Sequence, residues 1–266
     1  MDRGTAERGA AGRLIEGVGL RAYGALEQLG EIVMLFVQTA AWTVRPPLRL
    51  PLIFKQMEFV GVKSTWVVIL TGAFTGGVLA LQTYHGFVLF NAESLVGATV
   101  ALSMTRELGP VLTSLMVTAR AGSAMAAELG TMRVTEQVDA LSVMAVPPVK
   151  YLVVPRVLAG IAMLPVLTVI SDFTGVVGGY LVGVYLLQIN PGVFMANLVE
   201  MVTLDDIFNG LIKSACFGLF LTVICCYKGI TTTGGAEGVG RATTQAVVVS
   251  SVTILISDYF LTALMF

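Results

Sequence analysis

One stretch of the sequence is long enough to cross a bilayer and yet carries charged residues, and this combination limits the folds open to the chain. It runs from Arg106 to Met132 and reads RELGPVLTSLMVTARAGSAMAAELGTM. Its charged residues are Arg106, Glu107, Arg120 and Glu128. A charge near the bilayer centre costs roughly 2.5–3.5 kcal/mol on insertion scales, so it normally faces protein or a water-filled cavity. Small residues between positions 119 and 127 would let another helix approach closely. The pattern predicts a helix in the interior of a membrane-embedded assembly.

Composition excludes an ordinary soluble domain. The mean hydropathy is +0.85, 56% of the 266 residues are apolar and only 12% are charged, against about 25% charged in a typical soluble domain. A single histidine, His85, and three cysteines in one apolar segment provide neither a His/Cys metal site nor a disulfide framework. We therefore predict no metal, no cofactor and no catalytic residue. No basic tract interleaved with aromatic residues indicates nucleic-acid binding.

The hydropathy pattern predicts an all-α integral membrane protein with five crossings, since a crossing needs about 20 apolar residues. The approximate spans are 64–90, 98–132, 157–187, 206–227 and 241–266. Residues 1–12 are predicted to be disordered. Within residues 13–63 we expect an amphipathic helix, ended by Arg45-Pro46-Pro47 and lying in the membrane interface, and then a cytoplasmic connector. Residues 193–205, after an Asn190-Pro191-Gly192 turn, are predicted to be an interfacial loop, and residues 229–240 a glycine-rich loop.

The basic residues predict the orientation of the chain in the membrane. Thirteen of the sixteen Lys and Arg residues fall in segments 1–63, 133–156 and 228–241. The other three, Arg106, Arg120 and Lys213, lie inside predicted crossings. The N-terminus has no apolar core of the kind found in a signal peptide. Basic residues concentrate on the cytoplasmic side, so we expect a multi-pass protein with a cytoplasmic N-terminus.

A short segment between the second and third crossings has the features of a docking helix. Residues 133–146 combine a narrow apolar stripe with acidic neighbours, and Pro147-Pro148 ends them. Such a helix can fit a groove on a soluble partner, or it can be a surface connector packed on its own crossings. The residues predicted to make the contact are Arg133, Glu136, Gln137, Asp139 and Leu141.

The candidate binding site is the Arg106-Glu107 pair at the outer end of the second crossing. The two side chains point about 100° apart on a helix, so they do not simply neutralise each other. They could present charge to a lipid headgroup, with Lys213 as the counter-charge of Glu107, or form a structural ion pair. Leu79, Phe87 and Phe90 are candidates to line an acyl-chain cavity, although most apolar residues here would face lipid or core. Arg120 and Glu128, eight residues apart, are expected to pair structurally.

Four motifs closely resemble the MlaE/YrbE permease family. They are RELGPV (106–111), RAGSAMAAELGTMRVTEQ (120–137), GRATTQAVV (240–248) and DYFLTALMF (258–266). The resemblance runs from about residue 14 to the C-terminus, with the motifs in the expected order. Asp172, in the middle of the third crossing, departs from the family pattern, and whether it pairs with another group or lines a cavity is open.

The resemblance implies a permease subunit of an MCE-type lipid ABC transporter in a bacterial inner membrane. It implies a homodimer whose partners are cytoplasmic ABC ATPase subunits, MCE-domain substrate-binding subunits and, in many systems, a STAS-domain subunit. The implied cargo is glycerophospholipid moved between the inner membrane and the cell envelope, and ATP hydrolysis is left to a separate chain. Segment 133–146 then resembles the coupling helix of ABC permeases.

Two other classes of function are considered. An intramembrane lipid-modifying enzyme would need clustered acidic or histidine residues. Asp172 and the single histidine, His85, are too few to favour this function. An ion-coupled secondary transporter would predict internal repeats, which the sequence does not show.

Overall fold

A computed structural model describes residues 3–45 and 49–265, and all regular structure in this part of the chain is helical. Its α-helices are α1 (Arg3–Val44), α2 (Leu50–Val60), α3 (Thr65–Val88), α4 (Val96–Ser103), α5 (Gly109–Val117), α6 (Ser123–Val134), α7 (Gln137–Val143), α8 (Val154–Tyr180), α9 (Pro191–Met201), α10 (Leu204–Ile230) and α11 (Gly235–Met265). Short 3-10 turns (Val62–Ser64, Glu93–Leu95) and π-helical turns (Met104–Leu108, Thr118–Gly122, Val149–Val153, Leu181–Leu186) join several of them.

Within the described residues, four helical segments are long and apolar enough to cross a membrane. They are Leu50–Val88, Val149–Leu186, Leu204–Ile230 and Gly235–Met265. They correspond in order to the first, third, fourth and fifth predicted crossings. The predicted second crossing is also helical, from Val96 to Val134, but π-helical turns divide it and it carries the charged residues described above. The all-helical membrane fold is confirmed at the level of these four segments.

The N-terminal half differs from the prediction in two places. Helix α1 begins at Arg3 and so includes most of the segment predicted to be disordered; Met1, Pro46 and Pro47 lie outside the described residues. Residues 50–60, expected to be part of a connector, form α2, which continues through a 3-10 turn into α3. Pro51 lies in the first turn of α2, where its missing N–H leaves no bond unmade, so it starts the helix instead of breaking it.

The predicted interfacial loop at 193–205 is wrong, because residues 191–201 form α9. The side-chain oxygen of Asn190 accepts hydrogen bonds from the backbone N–H groups of Gly192 (2.9 Å) and Val193 (3.4 Å), and Pro191 occupies the first turn. These are helix start signals. The glycine-rich loop is also shorter than predicted, since α11 begins at Gly235, six residues before Arg241.

Small residues set the packing of the membrane helices. A Cβ added to Gly76 of α3 would lie 1.8 Å from the carbonyl oxygen of Gly175 in α8, and one on Gly178 would lie 2.1 Å from that of Ala73. The backbones of α3 and α8 are therefore in direct contact, as small residues permit in membrane helices. Helix α11 is the least buried of the four apolar segments. In its 18-residue apolar stretch 11% is buried, against 33–56% in the corresponding stretches of the other three segments.

Candidate functional site

The candidate site forms where the π-helical turn before Pro110 meets α10. The π-helical turn Met104–Leu108 runs into α5, and Pro110 lies in the first turn of α5. Proline has no N–H, so it cannot donate to the carbonyl of Arg106 four residues earlier. The ammonium of Lys213, on α10, donates a hydrogen bond to that carbonyl at 3.0 Å. A charged side chain thus satisfies a backbone acceptor that the proline leaves without its helical donor.

Lys213 is completely buried and connects three helices. Its Nζ lies 2.8 Å from Oε1 of Glu107 and donates to the hydroxyl of Thr262 on α11 at 2.7 Å. Oδ1 of Asp258, one turn before Thr262, lies 3.5 Å from the same nitrogen. The predicted pairing of Glu107 with Lys213 is confirmed by this geometry. The ammonium is surrounded by acceptors, which is what a buried charge requires.

A second ion pair lies beside the first. Nε of Arg106 donates to Oδ1 of Asp206 at 2.7 Å. Oδ2 of Asp206 in turn accepts from the backbone N–H (3.0 Å) and the hydroxyl (2.8 Å) of Thr203, and this capping box begins α10. Gly210 allows the close approach, because a Cβ there would lie 2.2 Å from the carbonyl oxygen of Thr105. The start of α10 is therefore fixed against the π-helical turn.

The cluster has an open side and a closed side. Among the described residues it contains two cations and three carboxylates, namely Arg106, Lys213, Glu107, Asp206 and Asp258. The side chains of Arg106 and Glu107 are 39% and 37% exposed, whereas that of Lys213 is not exposed at all. A ligand approaching this conformation could therefore reach the guanidinium of Arg106 and the carboxylate of Glu107, but not Lys213.

Sequence reasoning found Arg106, Glu107 and Lys213 but missed their partners Asp206, Asp258 and Thr262. A signal was present, because Asp258 and Thr262 are spaced by one helical turn in a predicted crossing, facing the same direction. An intramembrane lysine needs such acceptors. The sequence alone did not indicate which of the other helices α11 would face.

The three predicted acyl-chain contacts have different environments. Leu79 and Phe87 of α3 are partly buried against a core cluster that includes Met104, the first residue of the π-helical turn. Phe90 lies just beyond the end of α3 and is 78% exposed. Leu79 and Phe87 thus pack on the core group that contains Met104, two residues before Arg106, while Phe90 is at the periphery.

Asp172 lies beside Gly109, directly after the same π-helical turn. Its Oδ1 is buried and has no hydrogen-bond partner among the described residues. A Cβ added to Gly109, the residue before Pro110, would lie 1.7 Å from this oxygen. Gly109 therefore provides the space that the Asp172 side chain occupies. Asp172 is thus packed tightly against Gly109 and forms no ion pair among the described residues.

The predicted pairing of Arg120 with Glu128 is wrong. Arg120 donates to the carbonyl of Phe59 (2.8 Å) and to the hydroxyl of Ser64 (2.7 Å), while Glu128 pairs with Arg156 at 2.8 Å. Eight residues of helix place the two side chains about 12 Å apart along the axis. Each therefore binds a nearer group on a neighbouring segment instead.

The predicted docking segment is helical over fewer residues than expected. Arg133 belongs to α6, and α7 spans only Gln137–Val143 after a left-handed residue, Glu136 (φ 59°). Arg133 pairs with Asp139, and the side chain of Gln137 donates to the hydroxyl of Thr135 at 3.0 Å.

The two faces of α7 have opposite characters. Val138 is buried and Leu141 is half-buried against the core, whereas Glu136, Gln137 and Asp139 are exposed. Val143 and Met144, at the end of α7, are 88% and 65% exposed. The segment therefore presents an acidic side and an apolar tip away from its own helices.

Comparison with known proteins gives consistent similarities. The family model described as Permease MlaE matches residues 53–264. A Rickettsia felis protein named "Probable ABC transporter permease protein" is 48% identical over 249 residues, which is 94% of this chain and 96% of the relative. The Haemophilus influenzae protein named "Intermembrane phospholipid transport system permease protein MlaE" is 41% identical over 234 residues, 87% of this chain and 90% of the relative. A chloroplast protein of Arabidopsis thaliana, TRIGALACTOSYLDIACYLGLYCEROL 1, is 41% identical over 80% of this chain and 61% of its own length.

Proposed function

The chain belongs to the MlaE permease family, and from this membership we propose that it is the membrane subunit of an ATP-driven transporter that moves glycerophospholipids between the inner membrane and the cell envelope. The names of its relatives describe ABC transporter permeases and, for the Haemophilus influenzae protein, intermembrane phospholipid transport. ATP hydrolysis then belongs to a partner chain. None of these names supports a lipid-modifying enzyme or an ion-coupled transporter.

The observation that carries the proposal is the intramembrane charged cluster with its open side at Arg106 and Glu107. We propose that these two side chains contact the lipid headgroup, because a guanidinium suits a phosphate and a carboxylate suits an ammonium or hydroxyl. Lys213 positions Glu107 and contacts lipid only when the cluster opens. Leu79, Phe87 and Phe90 would contact the acyl chains, with Leu79 and Phe87 nearest the cluster through Met104.

The conformational change of the ATPase would be transmitted to this chain through α7. The exposed side chains of Glu136, Gln137 and Asp139 and the exposed tip at Val143 are suited to a groove on a soluble protein. The Arg133–Asp139 pair joins the end of α6 to α7, and Leu141 anchors α7 on the core. Displacement of α7 would therefore be transmitted to α6, and through it toward the π-helical turn before Pro110.

The remaining architectural features are proposals of the same kind. We propose a homodimer, supported by the sparse coverage of α11, and five crossings: the four apolar segments and, second in chain order, the charged helix Val96–Val134. Helix α1 would lie in the interface, with Leu29, Val33 and Val37 exposed on its apolar side. The distribution of basic residues supports a cytoplasmic N-terminus in a bacterial inner membrane. MCE-domain and STAS-domain subunits are the expected further partners.

Co-purification and a transfer assay would test the proposal. The chain, extracted in mild detergent, should bring with it an ATPase subunit and bound glycerophospholipid. In proteoliposomes, the complete complex should transfer labelled phospholipid only with hydrolysable ATP. Glu107→Gln should reduce transfer at least fivefold while the complex still assembles, and Glu237→Gln, which alters an exposed pair with Arg241, should leave transfer unchanged. Full ATP-independent transfer by the chain alone would refute the proposal.

A further inference from the structure

A small cavity lined by cationic side chains lies at the end of the molecule that carries α7. It lies between the start of α2, the connector after α7 and the π-helical turn that leads into α8. Its volume is about 220 Å³. The described residues that line it are Arg49, Ile53, Ala145, Val146, Pro147, Lys150, Tyr151, Val154 and Pro155. Two of these are cationic and none is acidic.

Aromatic rings hold the cations around this cavity. The guanidinium of Arg49 lies 5.1 Å from the ring centre of Tyr151, and Lys150 and Arg45 each lie 5.4 Å from that of Trp42. A cation–π contact orients a cation without neutralising its charge. None of the ion pairs among the described residues includes Arg45 or Arg49. Within the described part of the chain, no carboxylate therefore neutralises the guanidinium groups of Arg45 and Arg49.

The size and surroundings of the cavity indicate the kind of ligand. Pockets that enclose a whole small molecule are typically about 300–1,000 Å³, so this cavity is large enough for a headgroup only. Leu50 and Phe54 belong to α2, which begins directly after Arg49, and they are 57% and 65% exposed. A ligand with a compact anionic head and long apolar chains fits both features. Basic pockets between transmembrane helices on the cytoplasmic side are known to bind anionic lipid headgroups.

We propose that this cavity binds the phosphate-bearing headgroup of an anionic phospholipid, such as phosphatidylglycerol or cardiolipin, at a site separate from the Arg106–Lys213 cluster. Ala145, Val146 and Pro147 form one wall of the cavity and follow α7 directly. An occupied cavity therefore braces the segment through which the ATPase would act, so the lipid composition of this leaflet regulates coupling. The regulatory part rests on the proposed function, whereas binding of the lipid does not.

Native mass spectrometry of the purified full chain, titrated with phosphatidylglycerol or phosphatidylcholine, tests the binding. We expect phosphatidylglycerol to be retained more tightly. Each basic residue near the surface contributes about 1 kcal/mol to such binding, so the double variant Arg49→Gln/Lys150→Gln should bind about 30-fold more weakly. Retention by the unaltered chain should also fall as ionic strength rises from about 0.1 M to about 1 M, because the Debye length shrinks from about 10 Å to about 3 Å. The salt titration uses only the unaltered chain, so its result does not depend on whether a variant folds.

Lys63→Gln is the matched control. Lys63 also lies over an aromatic ring, 5.8 Å from the centre of Phe59. It lines a different cavity, however, whose lining includes the carboxylates Glu58 and Glu128. We expect this variant to retain phosphatidylglycerol like the unaltered chain. An equal loss in the control, or equal retention of the two lipids, would overturn the proposal.

The other sources of an anion are separated in the same experiment. Inorganic phosphate at millimolar concentration should not displace the lipid; displacement would mean a free-phosphate site and would overturn the proposal. Burial of Arg49 by the ATPase subunit, without retention of anionic lipid, would make the cavity a protein contact and overturn it too. Because the binding assay uses the chain alone, a failure of ATP-driven transfer would count against the proposed function and not against this site.

Discussion

Replacing Lys213 by methionine should strongly destabilise the protein. Methionine has a similar length but no charge, so the variant leaves Glu107 and Asp258 without their shared cation and the Arg106 carbonyl without its donor. Removing one partner of a buried pair costs about 3–5 kcal/mol. Glu107 and Asp258 are 37% and 21% exposed, and water will compensate part of the loss. We therefore expect about 3 kcal/mol, which is more than a hundredfold in the folded-to-unfolded ratio.

Reversible unfolding of the full chain in mixed micelles measures this free energy. Adding Glu107→Gln to the Lys213→Met variant removes one uncompensated carboxylate, so the double variant should recover about 1–2 kcal/mol, a coupling that a double-mutant cycle isolates. Lys63→Met, at an exposed lysine, is the control and should change stability by no more than about 0.5 kcal/mol. A Lys213→Met variant as stable as the unaltered chain, or a double variant less stable than Lys213→Met, would refute the reasoning.

Three further predictions concern packing, capping and docking. Gly76→Leu should prevent α3 from packing on the Gly175 backbone and abolish the thermal transition in detergent, whereas Gly86→Ala, with open space around it on the same helix, should preserve the transition. Asn190→Ala should cost about 1 kcal/mol and speed amide exchange at the start of α9, and unchanged exchange would argue against the cap. Val143→Asp should leave the melting temperature unaltered and reduce recovery of the ATPase at least fivefold; undiminished recovery would remove the tip of α7 from the interface.

Much of the helical order could be predicted because hydropathy is a local property of the sequence. Four of the predicted crossings correspond to apolar helices, and Lys213 was matched with Glu107 because an intramembrane cation needs a partner. The errors arose where a local signal had two interpretations. Asn190-Pro191-Gly192 was interpreted as a turn, although the same residues cap and start a helix. Pairing of Arg120 was wrong because its acceptors come from a distant part of the chain.

The charged cluster shows the same limit at the level of the site. Lys213 and Asp258 lie on different helices, and only the packing of α10 against α11 brings them within 3.5 Å. The role of Lys213 as donor to the Arg106 carbonyl depends on Pro110, whose consequence for the backbone can be deduced from sequence. The sequence could not indicate which side chain would donate a hydrogen bond to this carbonyl, because the donor depends on the close approach that Gly210 permits.

The direct backbone contact between α3 and α8 restricts how such a protein can change shape. At Gly76 and Gly178 no side chain lies between the two helices to change rotamer and absorb a displacement, and close-packed interiors do not deform continuously. The two helices should therefore move as one rigid body during a conformational cycle. Separation sufficient to admit a lipid would then have to occur between other helices.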